Sequence, residues 1–163
     1  SLELAAAGAK QALRHAAGKS MLIIENSAGG GEKIGKNLAE IAALIRLIGS
    51  RRVGVCLDTA HSFESGMVND YGKDEVARLA VEVKRTIGWK RLMAIHANDS
   101  KTAWNSKHDR HENIGAGHIG LDGFKNLLAN SEFRKIPFLL EVPGFANEGP
   151  DKKNVDILRK LAN

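Results

Sequence analysis

Cysteine is nearly absent from these 163 residues. Cys56 stands alone, which excludes an internal disulfide framework and a cysteine-rich zinc module. Long apolar runs are absent too. Stretches such as Met21-Leu22-Ile23-Ile24 fall far short of the roughly 20 residues a membrane span needs. No basic–apolar–small segment reads as a signal peptide, and no internal repeat or low-complexity linker interrupts the chain. The expectation is a cytoplasmic protein with no membrane partner. What remains is ordinary: 43% hydrophobic and 26% charged residues sit near the globular average, so a disordered chain is excluded. The length suits one unit, residues 1–163.

Lys and Arg number 24 against 19 Asp and Glu, a net charge of +5 and a pI of about 9.4. A mildly basic surface suits a polyanionic partner without identifying one. Pattern says more. Residues 21–24, 53–57, 92–95 and 137–140 are strand-length and almost wholly apolar, as strands buried on both faces are. Between them Leu38, Ile41, Ala42, Ile45 and Ile48 repeat at helical spacing, and so do Val76, Leu79, Ala80, Val83 and Ile87. Further helices are predicted over 2–17, 121–128 and 155–161. This alternation predicts an α/β fold with a parallel sheet, as an open sheet or a segment of a barrel. The stretch from Ile95 to Leu121 is too long for a plain connector and reads as a functional loop.

Each apolar run is followed by a residue that binds metals well: Glu25, Asp58, His96 and Glu141. The carboxyl ends of parallel strands lie at one end of the sheet, so the four side chains converge. Singly, Glu25 and Glu141 read as solvated strand ends, Asp58 as a turn or cap, and His96 as a buried structural histidine. Four such endings out of four favour a metal centre, because clustered carboxylates need a cation or a proton. Oxygen and imidazole donors suit zinc, manganese or iron. His61, three residues after Asp58, joins Asp109 and His111 from the long loop as three ligands for an adjacent site. His108 and His118 read as surface or supporting residues, His15 as structural, and Cys56 as a small core residue.

Gly30 to Asn37 fits the spacing G-x-x-x-x-G-K, but Asn37 stands where a P-loop needs a hydroxyl for magnesium. Nucleotide hydrolysis is set aside, and the glycines instead suit close approach of a phosphate to the backbone.

The stretches Ile24-Glu25-Asn26-Ser27-Ala28-Gly29-Gly30-Gly31, Gly54 to His61, His96-Ala97-Asn98-Asp99-Ser100-Lys101, Asp109 to Gly120 and Leu139-Leu140-Glu141-Val142-Pro143 resemble the endonuclease IV family of zinc-dependent apurinic/apyrimidinic endonucleases. They occur in family order over nearly the whole chain. The H-x-N-D-S-K and D-R-H-x-x-x-G-x-G stretches are the most specific. Ala60 stands where the family usually has Cys, and Gly30 where it often has Gln; neither is a ligand.

The resemblance implies a TIM-type (β/α)₈ barrel with three zinc ions at its strand ends. It implies hydrolysis of the phosphodiester 5′ to an abasic site in double-stranded DNA, a base-excision-repair step that leaves a 3′-hydroxyl. Glu25 would be the catalytic carboxylate bridging the first and second zinc. Asp58, His96 and Glu141 would complete the second, and His61, Asp109 and His111 would hold the third. Lys101 and Arg110 flank the ligands and are the candidate substrate-binding residues, against phosphates, with support of the ligands or plain surface charge as the equal alternative. Such a barrel usually takes about 250 residues, and this chain has room for the last four βα units, a half barrel. The first zinc's two histidines belong to the other half. A half barrel is expected to self-associate or to belong to a longer polypeptide, since its edges and apolar faces are uncovered. Two other readings stand beside this one: a sugar isomerase or epimerase with a divalent metal on a related barrel, and a truncated remnant that binds zinc or DNA without cleaving.

Overall fold

The stripe from Leu38 to Ile48 is buried on one side of a helix, as its spacing predicts, in a computed structural model that describes residues 1–163. Along the chain the elements are α1 (Leu2–His15), β1 (Leu22–Glu25), α2 (Leu38–Ile48), β2 (Val53–Asp58), α3 (Thr59–Glu64) and α4 (Lys73–Thr86). There follow β3 (Leu92–His96), β4 (Asp99–Ser100), β5 (His111–Glu112), α5 (Gly120–Ala129), β6 (Phe138–Leu139) and α6 (Lys152–Leu161). Asn37 caps α2, its side-chain oxygen accepting from the Glu40 amide at 2.9 Å, and Gly49 ends it in the left-handed region at φ 69°.

β1, β2, β3 and β6 form one parallel sheet in that order, so all four carboxyl ends lie together. Central β2 is buried along its whole length. Its Val53, Val55 and Leu57 belong to the same core as Leu38 and Ile41 of α2, Leu79 and Val83 of α4, and Phe124 and Leu127 of α5. Each such side chain removed from water contributes about 1.5–3 kcal/mol. The alternate residues of the strands form the other face. There Gly54 leaves room for its neighbours: a Cβ on it would lie 2.5 Å from Met93 Cγ and 2.9 Å from Ile23 Cδ1. Ile23, Met93 and Leu139 are 40–49% exposed, and β1 and β6 each keep one unpaired edge. This is the uncovered geometry expected of a half barrel. No helix is long and apolar enough to cross a membrane.

Three details differ from the sequence reading. The first helix stops at His15 rather than continuing to residue 17, and the Arg52 guanidinium takes its free carbonyls, including that of Ala16 at 3.0 Å. The residues after Asp58 are not a plain loop but α3, six residues long and too short to show a periodic stripe. The loop after His96 carries the small antiparallel pair β4–β5, and Asp99 organises the rest of it. The Asp99 carboxylate accepts from the amides of Ser100, Gly115, Gly117, Ile119 and Gly120 at 2.8–3.4 Å. Gly117 is required for this: a Cβ there would lie 2.3 Å from Ser100 O.

Candidate metal centre

Glu25, Asp58 and His96 are the last residues of β1, β2 and β3, and Glu141 follows β6 by two residues. Register sets them side by side: Glu25 pairs with Cys56 and Asp58 with His96. The four predicted convergent residues do converge. Glu25, Asp58, His96 and Glu141 each present a donor atom within 4.8 Å of the others. His96 Nδ1 is their hub, 3.0 Å from Glu25 Oε1, 3.1 Å from Glu141 Oε2 and 3.9 Å from Asp58 Oδ2.

The second predicted group also assembles. His61 Nε2 lies 3.2 Å from Asp109 Oδ1 and 3.4 Å from His111 Nε2, and the last two are 3.6 Å apart. Donors held about 2.0–2.1 Å from a tetrahedral zinc are separated by roughly 3.3–3.4 Å. The three separations in this group, 3.2–3.6 Å, bracket that value. Asp58 belongs to both groups, because its Oδ2 is also 3.7 Å from His111 Nε2. Sequence order alone assigns Asp58 to one group; a strand-end side chain between two clusters is visible only in three dimensions.

The electrostatics of the cluster ask for positive charge. Burial pushes the Glu25 carboxyl up, but hydrogen bonds from His61 and His96 outweigh it and hold it at about 2. Burial pulls His61 down, yet Glu25, Asp58 and Asp109 raise it to about 10. His96 is raised to about 11 by the Cys56 sulfur and the Glu25 carboxylate beside it. Burial pushes Asp58 up despite His61 and His111 nearby. Protonated histidines thus do in this structure what cations would otherwise do.

Supporting groups hold the donors in place. His61 Nδ1 is 2.9 Å from the Asn26 carbonyl, which leaves Nε2 facing Asp109 and His111. Asn26 also clamps the Asp58 backbone, accepting from its amide at 2.7 Å and donating to its carbonyl at 3.1 Å. Asn98, fully buried, donates to Asp58 Oδ2 at 2.6 Å and accepts from the Glu141 amide at 2.8 Å. Asp58 Oδ1 caps α3 through the His61 amide at 2.7 Å, so the cap reading and the ligand reading describe one side chain. Glu64 lies fully buried behind the long loop; its Oε1 accepts from Ser100 Oγ at 2.7 Å and from the Arg110 amide at 3.2 Å. Sequence reasoning does not single out Asn26, Asn98 or Glu64 as site residues. Asn26 and Asn98 follow Glu25 and His96 within two positions, a signal that an amide braces the ligand; Glu64 left none. Lys101 and Arg110 are exposed at the rim of this end, and their backbones pair at 2.8 Å. His108, His118 and His15 are exposed, and Cys56 is buried.

Asn98→Ala is expected to weaken metal binding about 10- to 100-fold by freeing Asp58 and Glu141. It should also destabilise the fold by roughly 1–3 kcal/mol through an unpaired buried carboxylate. Competition with a chromogenic chelator and a thermal melt read the two effects; unchanged affinity would mean that the amide positions neither ligand.

A family model described as xylose isomerase-like TIM barrel matches residues 1–161. The chain belongs to this family. Among relatives within it, the probable endonuclease 4 of Aquifex aeolicus is 38% identical over 141 residues, 86% of this chain and 49% of the relative. The probable endonuclease 4 of Persephonella marina is 40% identical over 143 residues, 87% of this chain but again 49% of the relative. The crystal structure of endonuclease IV from Thermus thermophilus superposes with a TM-score of 0.82 at 31% identity, over 99% of this chain and 57% of that one. This xylose isomerase-like barrel chain therefore spans about half the length of the curated relatives it matches, and its four parallel strands are a part of the full barrel.

Proposed function

We propose that this chain is the portion of a DNA-repair endonuclease that holds the second and third of three zinc ions, in an enzyme that hydrolyses the phosphodiester 5′ to abasic sites. The supporting observation is that Glu25, Asp58, His96 and Glu141 gather donor atoms within 4.8 Å of one another, and His61, Asp109 and His111 theirs at 3.2–3.6 Å, at one end of the sheet. Similarity to proteins named endonuclease 4 supplies the reaction class. Glu25, Asp58, His96 and Glu141 would hold one zinc, and His61, Asp109 and His111 the other, with the Asp58 carboxylate bordering both sets. Bound zinc supplies Lewis acidity to a phosphodiester oxygen and to the attacking water. Glu25 is ionised at neutral pH and would also serve a first zinc, whose two histidines the family resemblance assigns to residues outside this chain. Asn98 and Asn26 keep these carboxylates oriented, and Lys101 and Arg110, both exposed, would contact flanking phosphates.

Elemental analysis of the zinc-loaded chain is expected to give two zinc ions per chain and no nicking of an abasic duplex. A chimera in which this chain replaces the matching segment of the Thermus thermophilus enzyme should nick 5′ to the lesion and leave a 3′-hydroxyl. A folded, zinc-loaded chimera that interconverts free sugars would favour the isomerase reading, and one that retains DNA without cutting it would favour a binding remnant. Either result would sink the proposal.

A further inference from the structure

Charge in this protein is divided between the two ends of the sheet. Because the strands are parallel, the connections leading from a helix into a strand lie at the end opposite the metal-ligand candidates. These connections, residues 14–21, 46–52, 84–91 and 130–137, carry 11 Lys and Arg and a single acid, Glu132. At the ligand end, residues 25–37, 58–72, 96–119 and 141–151 carry 5 Lys and Arg against 11 Asp and Glu. The overall +5 is therefore a +10 end and a −6 end, with +1 on the remaining residues. The positive charge of this chain is not at its candidate site.

Helix termini explain part of the basic end. Arg14, Arg46, Lys84 and Arg85 occupy last turns of α1, α2 and α4, where cations complement the free carbonyls. Seven cations lie outside those turns, and among all eleven only Lys135 is paired with a carboxylate, Glu132 at 2.8 Å. Arg52 and Arg91 donate to backbone carbonyls, Arg91 to that of Val53 at 2.7 Å. Arg51 and Lys90 are exposed and unpaired. Arg46, Arg51 and Arg91 border a cleft of about 400 Å³ between the ends of α2 and α4, with Ser50 and Thr86 also in its wall.

We propose that this end of the sheet is a second, non-catalytic docking surface for the phosphate backbone of duplex nucleic acid. Seven of its eleven cations are arginine, whose forked donors match phosphodiester oxygens. A lipid surface fits less well, because only Met21 and Leu47 are exposed large apolar residues here and Trp89 is turned onto Phe133, ring centroids 5.1 Å apart. The ligand end repels a polyanion until cations neutralise its carboxylates, whereas the basic end needs none.

The test is fluorescence anisotropy of a labelled, lesion-free DNA duplex with the chain in EDTA, over a series of salt concentrations. Binding is expected to survive the chelator. Arg51→Glu with Lys90→Glu should weaken it at least about tenfold and flatten the plot of log affinity against log salt by about 2, near 0.9 for each phosphate no longer neutralised. The gentler Arg51→Gln with Lys90→Gln should move both quantities in the same direction if the reversal unfolds the chain. Lys73→Glu with Lys125→Glu makes the same change in net charge on exposed residues at the start of α4 and in α5, and should leave affinity within about twofold. Equal losses in both double variants would overturn the proposal, and so would loss of binding in EDTA or capture by anionic vesicles without capture by duplex. Lesion cleavage enters none of these readouts, so the surface and the proposed reaction fail independently.

Discussion

Asp58→Ala is expected to lower metal affinity in both donor sets at once, by about 100-fold or more in each. Its Oδ2 lies 3.9 Å from His96 Nδ1 and 3.7 Å from His111 Nε2, which makes it a member of both donor groups. Its Oδ1 is also the cap of α3, and losing the cap should cost roughly 1 kcal/mol. Removing a wholly buried carboxylate leaves the Asn98 amide without its acceptor, which adds to the instability. Asp58→Asn separates the two effects, since the amide retains an oxygen for the cap but not the charge. Zinc titration of both variants with circular dichroism reads this directly. Retention of one full-strength site in Asp58→Ala would show that Asp58 serves a single metal.

Zinc uptake is expected to release about two protons near pH 7.5 and to tighten about tenfold per pH unit in each donor set. Free imidazole titrates near 6.5, while His61 and His96 in the metal-free protein are raised to about 10 and about 11. Both rings therefore carry a second proton at neutral pH, and a metal must displace it, because only the neutral ring is a ligand. Calorimetry in two buffers of different ionisation enthalpy measures the proton count; a count of zero would mean that zinc displaces no imidazolium proton and would overturn this expectation. The same shifts predict the stability of the chelated protein. A raised histidine stabilises fully below about 6.5 and loses that contribution as pH rises through its folded value near 10 or 11. Glu25, lowered from 4.5 to about 2, stabilises above 4.5 and loses that contribution as pH falls through about 2. This cluster therefore favours folding most between about pH 4.5 and 6.5, and melts in EDTA should fall progressively on the alkaline side.

Much of the fold was legible because parallel strands buried on both faces leave a dense signal. Val53 to Leu57 is apolar at nearly every position, and β2 is buried at every position. The stripes of α2 and α4 have enough turns to be counted. The short pieces were not legible: α3 runs for six residues and the β4–β5 pair for two in each strand, fewer than a period can register. They are specified by single polar anchors, Asp58 and Asp99, each accepting backbone amides that no pattern of hydropathy reveals.

His61, Asp109 and His111 lie outside the apolar runs, but Glu25, Asp58, His96 and Glu141 were readable one by one, since a polar residue that ends a buried strand stands out against its apolar neighbours. Their convergence needed only the rule that parallel strands share a carboxyl end. The tertiary structure decided what distance alone can decide. It placed Asp58 between two donor groups, and His61 Nε2 rather than Nδ1 toward Asp109. It also put 11 of the 24 Lys and Arg, scattered along the sequence, at the end away from the candidate site. Composition sums charge over the whole chain, whereas attraction between charges falls with distance and is screened within about 8–10 Å in physiological salt. A net charge is thus a property of the sequence, and where a polyanion can settle is a property of the fold.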